Sequence, residues 1–550
     1  MNTLLTLLSD AQVRTFTAAG HWRDRTIYSL VVEHAARTPE KTAVRERVRT
    51  TSYGDLVDAA DRLAAALHES GLRPGDRVAV WLPSRVETAV AVLACSRGGY
   101  VACPSLHRDH TVAEIAELVT RMRAAALVVQ AGHGADADRR DILDAVAGAG
   151  HVRFVRRLQP AAAGPLLPDL PAAVAPPVHD DPNSVVYLAF TSGTTGQPKG
   201  VMHSDNTLLS PTRALVADWS LDAGSCVYSL SPLSHNLGFG AMVMALTLGA
   251  EFVVHDLARH ASLAARLRET GATFAFGVPT HAIDLLAELR ADGSAGLPEL
   301  RGFRISGAAV PPVVAQGLLD VGVVPQSGYG MTEAGSHHYT LPGDEPTMIV
   351  GSSGRACAGY EVRIFSRQNP DQELPPGETG QIGGRGASLM LGYFDDQAAT
   401  ESSFNAAGWF LTGDLGWMDE AGYLRITGRK KDVIIRGGHN IFPAKIENYA
   451  LRHDGVAKAA VVPVPDERLG ERVCLVVQAR PGLDLDAQEL LAHLDDAGLS
   501  KFDMPEYFAQ VEDLPLMPSG KILKRRLVEW IDEGRLAPSP VRFTPAPVPR

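Results

Sequence analysis

Residues Tyr187 to Ser204 read YLAFTSGTTGQPKGVMHS, and the reading of the whole chain turns on them. The apolar run from Val185 to Phe190 predicts a buried strand. It empties into Thr191, Ser192, Gly193, Thr194, Thr195 and Gly196, with Lys199 shortly after. Glycines let the backbone turn its N–H groups inward, and hydroxyls add donors without bulk. Such a loop can wrap a polyphosphate, with Lys199 as a point charge beside it. It does not fit the P-loop template, because no Gly-Lys-Ser or Gly-Lys-Thr follows at the required spacing. Taken alone, the cluster reads first as a flexible surface turn.

At 550 residues the chain exceeds what one hydrophobic core serves, so at least two domains are expected. With 45% hydrophobic and 21% charged residues it has an ordinary globular composition, and a net charge of -11 argues against nucleic acid as the main partner. Cys95, Cys103, Cys226, Cys357 and Cys474 are scattered and form no CxxC pair. Neither a disulfide framework nor a zinc site is expected, and a reduced cytoplasmic setting fits. The opening MNTLLTLLSDAQ lacks a basic segment, and Asp10 interrupts its apolar run, so no signal peptide is expected. No stretch is apolar for long enough to span a bilayer.

From Thr26 to Val101 strands alternate with amphipathic helices, which predicts a parallel sheet with helical cover. Glu117 to Val129 and Asp141 to Val155 continue the theme. The Pro- and Ala-rich stretch 158–182 predicts an irregular connection. It leads into the Tyr187 strand, so the glycine-rich loop is expected at the start of a second αβ unit, at the carboxyl edge where such sheets bind ligands. Gly-containing strands in 380–394 and 408–425 predict a small β-barrel. The tail from Ala537, APSPVRFTPAPVPR, is expected to be disordered.

Further along lie segments able to meet a nucleotide and an acid. In PLSHNLGFG, His235 alone is more often structural than functional, and Asn236 reads equally as a helix cap or as a pocket amide. FAFGVPT (274–280) and RISGAAVP (304–311) end strands, the second in small residues against which a flat ring can lie. QSGYGMTEA (326–334) offers an aromatic, a hydroxyl and a carboxylate: Tyr329 for adenine, Thr332 for a phosphate, Glu333 for magnesium. Without a ligand to explain, it is a polar loop with one buried tyrosine. Asp414 in GWFLTGDLG can accept both hydroxyls of a ribose, or is a common turn aspartate. Gly437-Gly438 reads as a loop that approaches a ligand closely. Gly520-Lys521, followed by Lys524, Arg525 and Arg526, reads alone as a basic helix face.

Six such motifs in this order resemble the acyl-adenylate-forming superfamily of acyl- and aryl-CoA ligases, peptide-synthetase adenylation domains and luciferases. The opening DRTIYSLVVEHAARTPEKTAV is similar to aryl-acid and cyclohexanecarboxylate-type ligases. The resemblance implies an α/β fold: a large N-terminal domain, 1–431, of two αβ subdomains plus a small β-barrel, and a smaller mobile α+β C-terminal domain, 432–536, before the tail 537–550. It implies ATP, Mg2+ and coenzyme A, with either CoA or a separate phosphopantetheinyl carrier protein as acceptor, a small carboxylic acid, preferably cyclic, as substrate, and a dimer as one open arrangement. By the same resemblance Thr191, Ser192, Gly193, Thr194, Thr195, Gly196, Lys199, Gly307, Ala308, Ala309, Gly328, Tyr329, Gly330, Thr332, Asp414 and Arg429 bind the nucleotide, and Glu333 binds the metal. His235, Asn236 and Gly277 border the acyl pocket, Asp432 is the hinge, Gly437 and Gly438 flank the CoA channel, and Lys521 is the catalytic lysine, with His235 beside it. His439 and Lys445 depart from the pattern, where many relatives carry a larger acidic or aromatic residue and a glutamate. The departure bears on the second half-reaction. A binding protein that kept only the fold is disfavoured by the intact Lys199, Glu333, Asp414, Arg429 and Lys521.

Overall fold

The computed structural model describes residues 4–161, 163–167, 169–170, 175–191, 198–258, 261–292, 296–437 and 439–543. The apolar run becomes the strand Val185–Thr191, buried along nearly its whole length. It pairs in parallel with the short strand Val101–Cys103 and antiparallel with Lys199–Ser204. These complete a six-stranded sheet in the order Phe154–Leu158, Ala124–Gln130, Arg77–Trp81, Val101–Cys103, Val185–Thr191, Lys199–Ser204. The expectation that this strand opens a second αβ unit is thereby corrected. Val185, Leu188 and Phe190 bury themselves among Cys103, Leu127 and Val129 of the earlier strands, and that apolar face requires the edge left by Val101–Cys103.

The second sheet has nine strands, with a parallel centre of Pro325–Met331, Gly302–Ile305, Phe274–Gly277, Cys226–Ser229, Glu251–Val254 and Thr42–Arg45. Thr42–Arg45 comes from the first fifty residues, so the two αβ subdomains are interleaved along the chain. Helices Val86–Gly98 and Asn236–Leu248 are enclosed on nearly every side, and the charged residues of the first, Glu87 and Arg97, are paired with Arg85 and Asp61. Tyr187 stacks on Phe239 of the second helix with centroids 4.1 Å apart, tying the two sheets across it.

Tyr360–Phe365, Gly380–Gly386, Phe410–Met418 and Leu424–Arg429 form a four-stranded antiparallel sheet. The expected barrel is an open sheet among the described residues. Its last strand spends its free edge on the segment before the first, where Ser353 N–H donates to the Leu424 carbonyl at 2.8 Å and Leu424 N–H to Gly354 at 2.9 Å. After Leu424–Arg429 an exposed turn containing Asp432 leads into Ile434–Arg436, the first strand of a separate C-terminal sheet. That sheet is built on the long hairpin Val456–Asp466 and Gly470–Ala479. Helices Pro443–Ala450, Ala487–Asp496 and Lys524–Asp532 accompany it. No helix among the described residues is long and apolar enough to cross a membrane.

Part of the tail expected to be disordered is ordered. Ser539–Pro540 pairs with Tyr507 and Phe508, Val541 N–H donates to the Glu506 carbonyl at 2.8 Å, and Val541 and Phe543 pack on the C-terminal core. A proline-rich segment can do this because an edge strand needs donors on one side only. Residues 544–550 lie outside the described chain. Deleting residues 538–550 is expected to destabilise the C-terminal domain by about 1–3 kcal/mol through the loss of two packed apolar side chains. An unchanged thermal melt of the truncated protein would show the strand to be incidental.

Candidate active site

The strand Gly302–Ile305 ends in Ser306 and Gly307, and Lys521 of the C-terminal domain lies directly on that end. A Cβ at Gly307 would stand 2.5 Å from Lys521 Cε and 3.1 Å from Nζ, and the Gly307 φ of +93° is one that side chains rarely adopt. Lys521 is delivered by a tight turn rather than by a helix face, since the helix begins only at Lys524. Met517 N–H donates to the Lys521 carbonyl and Gly520 N–H to the Met517 carbonyl, both at 2.7 Å. Across the domain boundary, Thr280 Oγ1 donates to the Gly520 carbonyl at 2.6 Å, and Lys458 lies 3.4 Å from Asp284. Burial pushes the Lys521 ammonium down to about 8, with Arg429 adding to the shift and Asp414 opposing it.

Residues 326–334 form a strand and a turn rather than a polar loop: Pro325–Met331 pairs antiparallel with Gly335–Tyr339. Tyr329, expected to stack on adenine, is buried edge-on against His337, and its hydroxyl donates to Asp414 Oδ2 at 2.8 Å. Asp414 and Arg429 are register partners on adjacent strands, and Arg429 Nε lies 3.0 Å from Asp414 Oδ1. Both carboxylate oxygens are therefore oriented by protein donors. Ala308 and Ala309 continue from Gly307, with Ala308 exposed. Gly328 and Gly330 lie on the Tyr329 strand, where a Cβ would strike Arg304 or the Gly335 carbonyl.

Glu333 faces Tyr393, whose hydroxyl donates to Oε1 at 2.9 Å, and Lys199 Nζ sits 4.5 Å from the centroid of the same ring. Burial raises the Glu333 carboxyl above its ordinary range. Among the described residues no group of three or more His, Cys, Asp or Glu is arranged for a metal. One carboxylate beside a lysine suits a magnesium ion that takes its other ligands from phosphate and water, as that ion commonly does. The Thr332 carbonyl accepts from His203 Nε2 at 2.7 Å, and burial pushes His203 down to about 4.

His235 occupies the cap position of helix Asn236–Leu248 without a capping hydrogen bond, so Asn236 is the first helical residue and not the cap. Burial pushes His235 down to about 3, with Lys521 and His107 contributing, and its Nδ1 has no partner among the described residues. Asn236 lines a cavity of about 50 Å³ with Pro211, Leu215, Met244, Phe276 and Ser336. Gly277 faces the other way, because successive strand residues point to opposite faces, and a Cβ on it would meet Phe303 and His281. A larger cleft of about 290 Å³ beside Trp81, His133 and Arg139 holds none of the residues that the motifs single out.

Ser192, Gly193, Thr194, Thr195, Gly196 and Gly438 lie outside the described residues. Thr191 pairs with Lys199 where the hairpin strands leave the described chain. Gly437 has φ +56°, and its N–H donates to the Leu469 carbonyl at 2.7 Å. The two departures from the pattern meet on one residue: His439 Nε2 is 2.9 Å from Asp503 Oδ1, and Lys445 Nζ donates to Asp503 Oδ2 at 2.8 Å. Burial pushes Asp503 up, but these two partners outweigh it and hold the carboxyl below its usual range. Sequence reasoning singled out neither Tyr393 nor His107, and it held His203 and Thr280 only inside longer stretches. Each side chain meets a partner distant in the chain, and no spacing marks such contacts.

Residues 31–394 match the AMP-binding enzyme family, and residues 445–521 match the AMP-binding enzyme C-terminal domain. The chain belongs to the AMP-binding enzyme family. It is an AMP-forming acid–thiol ligase of the acyl-adenylate-forming superfamily. It is 33% identical over 541 residues to the medium-chain fatty-acid–CoA ligase of Escherichia coli (strain K12), covering 95% of this chain and 94% of that protein. It is 35% identical over 523 residues to the 3-[(3aS,4S,7aS)-7a-methyl-1,5-dioxo-octahydro-1H-inden-4-yl]propanoyl:CoA ligase of Mycobacterium tuberculosis, covering 92% and 99%. ATP-bound MatB from Rhodopseudomonas palustris, 29% identical, superposes with a TM-score of 0.81 over 92% of this chain and 99% of that one, whereas the apo form gives 0.72. The chain as a whole thus superposes better on the ATP-bound form than on the apo form. Replacing Asp414 by Ala is expected to raise KM for ATP by about tenfold or more and to lower kcat less, because a ribose contact is made equally in ground and transition states. Unchanged nucleotide affinity by calorimetry would leave Asp414 as a strand residue paired with Tyr329 and Arg429.

Proposed function

We propose that this enzyme activates a ring-bearing carboxylic acid with ATP and transfers the acyl group to the thiol of coenzyme A. The observation that carries the reading is Lys521, brought by the C-terminal domain onto the Gly307 strand end, within electrostatic reach of His235, Arg429 and Asp414. In the first step a carboxylate oxygen attacks the α-phosphorus and pyrophosphate leaves. Charge builds on the transferred phosphate and the attacking carboxylate, where the Lys521 ammonium is preorganised to offset it. Lys199, together with residues 192–196 that the sequence motif assigns to phosphate, holds the outgoing phosphates, and Asp414, oriented by Tyr329 and Arg429, holds the ribose. A magnesium ion on Glu333 would neutralise phosphate charge when bound. His235, kept neutral, borders the carboxyl without competing as a cation.

In the second step the C-terminal domain turns about Asp432, withdraws Lys521 and presents the Gly437 hairpin to the adenylate. A pantetheine thiol then attacks the acyl carbonyl and AMP leaves. The cluster of His439, Asp503 and Lys445 ties that hairpin to its own domain, which supports an intact second half-reaction. Coenzyme A as acceptor is supported by both relatives, each named a CoA ligase. Their acids differ, a medium-length chain in one and a fused ring in the other. The small cavity of about 50 Å³ lined by Met244 and Leu215 supports a compact ring over a long chain.

Replacing Lys521 by Ala is expected to slow acid-dependent pyrophosphate release by roughly 100- to 1000-fold while sparing thioester formation from supplied acyl-adenylate. Unchanged pyrophosphate release would remove the lysine from the chemistry. Because the Lys521 pKa is lowered, the free enzyme loses this cation as pH rises through about 8. The kcat/KM for ATP in the first step should therefore fall above that pH, and Lys521→Arg should move the descending limb upward. Replacing Asn236 by Leu should weaken a hydroxyl-bearing ring acid relative to the unsubstituted ring by about tenfold, the loss of one buried hydrogen bond. Equal losses for both acids would make Asn236 a scaffold residue, and a preference of the native enzyme for palmitate-length chains would remove the cyclic-acid reading.

A further inference from the structure

Arg304 is fully buried, three residues before Gly307 on the same strand. One guanidinium nitrogen, Nη1, donates to Gln326 Oε1 at 2.6 Å, and Gln326 is its register partner on the next strand. Nε and Nη2 have no partner among the described residues, and neither has Gln326 Nε2. The guanidinium lies against Gly328, where a Cβ would stand 2.9 Å from Cζ, and 5.2 Å from the Tyr339 ring centroid. The groups that bear on its charge are Tyr339 and Cys357, and no carboxylate is among them. A buried cation with two idle donors and no counter-charge is costly, and folding alone gives no reason to keep it.

Its position supplies a reason. Phe276, the register partner of Arg304 on the other side, lines the cavity that also holds Asn236. Gly335, paired with Met331 across the hairpin turn, lines it too, as does Ser336, the partner of Gly330. Arg304 thus lies on the cavity's face of the sheet, below the strand end where Lys521 meets Gly307. Gly307 lies three residue steps beyond Arg304, roughly 10 Å along an extended backbone. That separation suits a substituted ring with a polar group at its far end. A longer aliphatic chain would have to run past the guanidinium.

We propose that Arg304, held by Gln326, reads an acceptor oxygen, a ring carbonyl or a second carboxylate, on the part of the acid remote from its reacting carboxyl. This assignment rests on the ligase reading above and specifies its substrate class. The test uses the full-length enzyme, ATP and Mg2+ with three acids of one skeleton: cyclohexanecarboxylate, 4-oxocyclohexanecarboxylate and trans-cyclohexane-1,4-dicarboxylate. Acid-dependent pyrophosphate release gives kcat/KM for each. The native enzyme should favour at least one oxygenated acid over the plain one by about tenfold or more, as expected for a buried charge-assisted hydrogen bond. Whether ketone or dicarboxylate leads tells which oxygen the site takes. In Arg304→Met the ratio should fall to about one, and Arg304→Lys should keep part of it. A ratio within one preparation does not depend on how much of the variant folds. A native ratio near one, or a ratio that survives Arg304→Met, overturns the assignment while leaving the ligase reading intact. No pyrophosphate release with any acid, including straight-chain controls, overturns both.

Discussion

An ammonium group enclosed between two domains is the constraint around which this enzyme is built. In the proposed two-step reaction Lys521 cannot reside there as part of the cleft wall, because the same cation would obstruct a thiol approaching the adenylate in the second step. It therefore arrives on a separate domain, through a turn whose Gly520 lies so close to Val278 and His281 that a side chain would clash. Gly307 gives way beneath it, and the Thr280 hydroxyl latches the turn. The latch is a neutral hydrogen bond, worth about 1 kcal/mol, and the Lys458–Asp284 pair beside it is too exposed at Asp284 to add much. Contacts of that size are compatible with release in the proposed catalytic cycle.

Charge in the cleft is kept sparse by the same enclosure. His107, His203, His235 and His281 are each pushed down by burial to about 4, 4, 3 and 4, so at neutral pH none is a cation. In the proposed first step the positive charge that faces the nucleotide comes from Lys199, Arg429 and Lys521, one near each of the parts that the step must hold. Arg429 is tied to Asp414, and Lys199 leans on Tyr393. Lys521 alone is free to leave.

The sequence made the order of motifs and the two-domain layout legible, because each motif is local: strand, glycine turn, cap, hairpin. What it hid are contacts between distant segments. Nothing in the run VVYLAF tells that its parallel neighbour is Val101–Cys103 rather than a later strand, since both edges accept the same apolar face. Tyr329 was legible as an aromatic near a nucleotide, but its hydroxyl bond to Asp414, 85 residues away, was not. His439 and Lys445 looked like separate anomalies until Asp503 joined them. The tail shows the opposite error, in which composition alone suggested disorder while two apolar side chains and one strand edge imposed order.

That strand edge matters beyond the stability of one domain. Among the described residues Ser539–Pro540 is the outermost strand on its side of the C-terminal sheet, so it is the rung that a neighbouring molecule would meet. Pro540 carries no N–H, and Pro538 stands just before the strand. Another extended chain laid alongside would find too few donors to continue the ladder. The domain that swings through solvent in the proposed cycle thus ends its sheet in a strand that discourages adhesion between molecules.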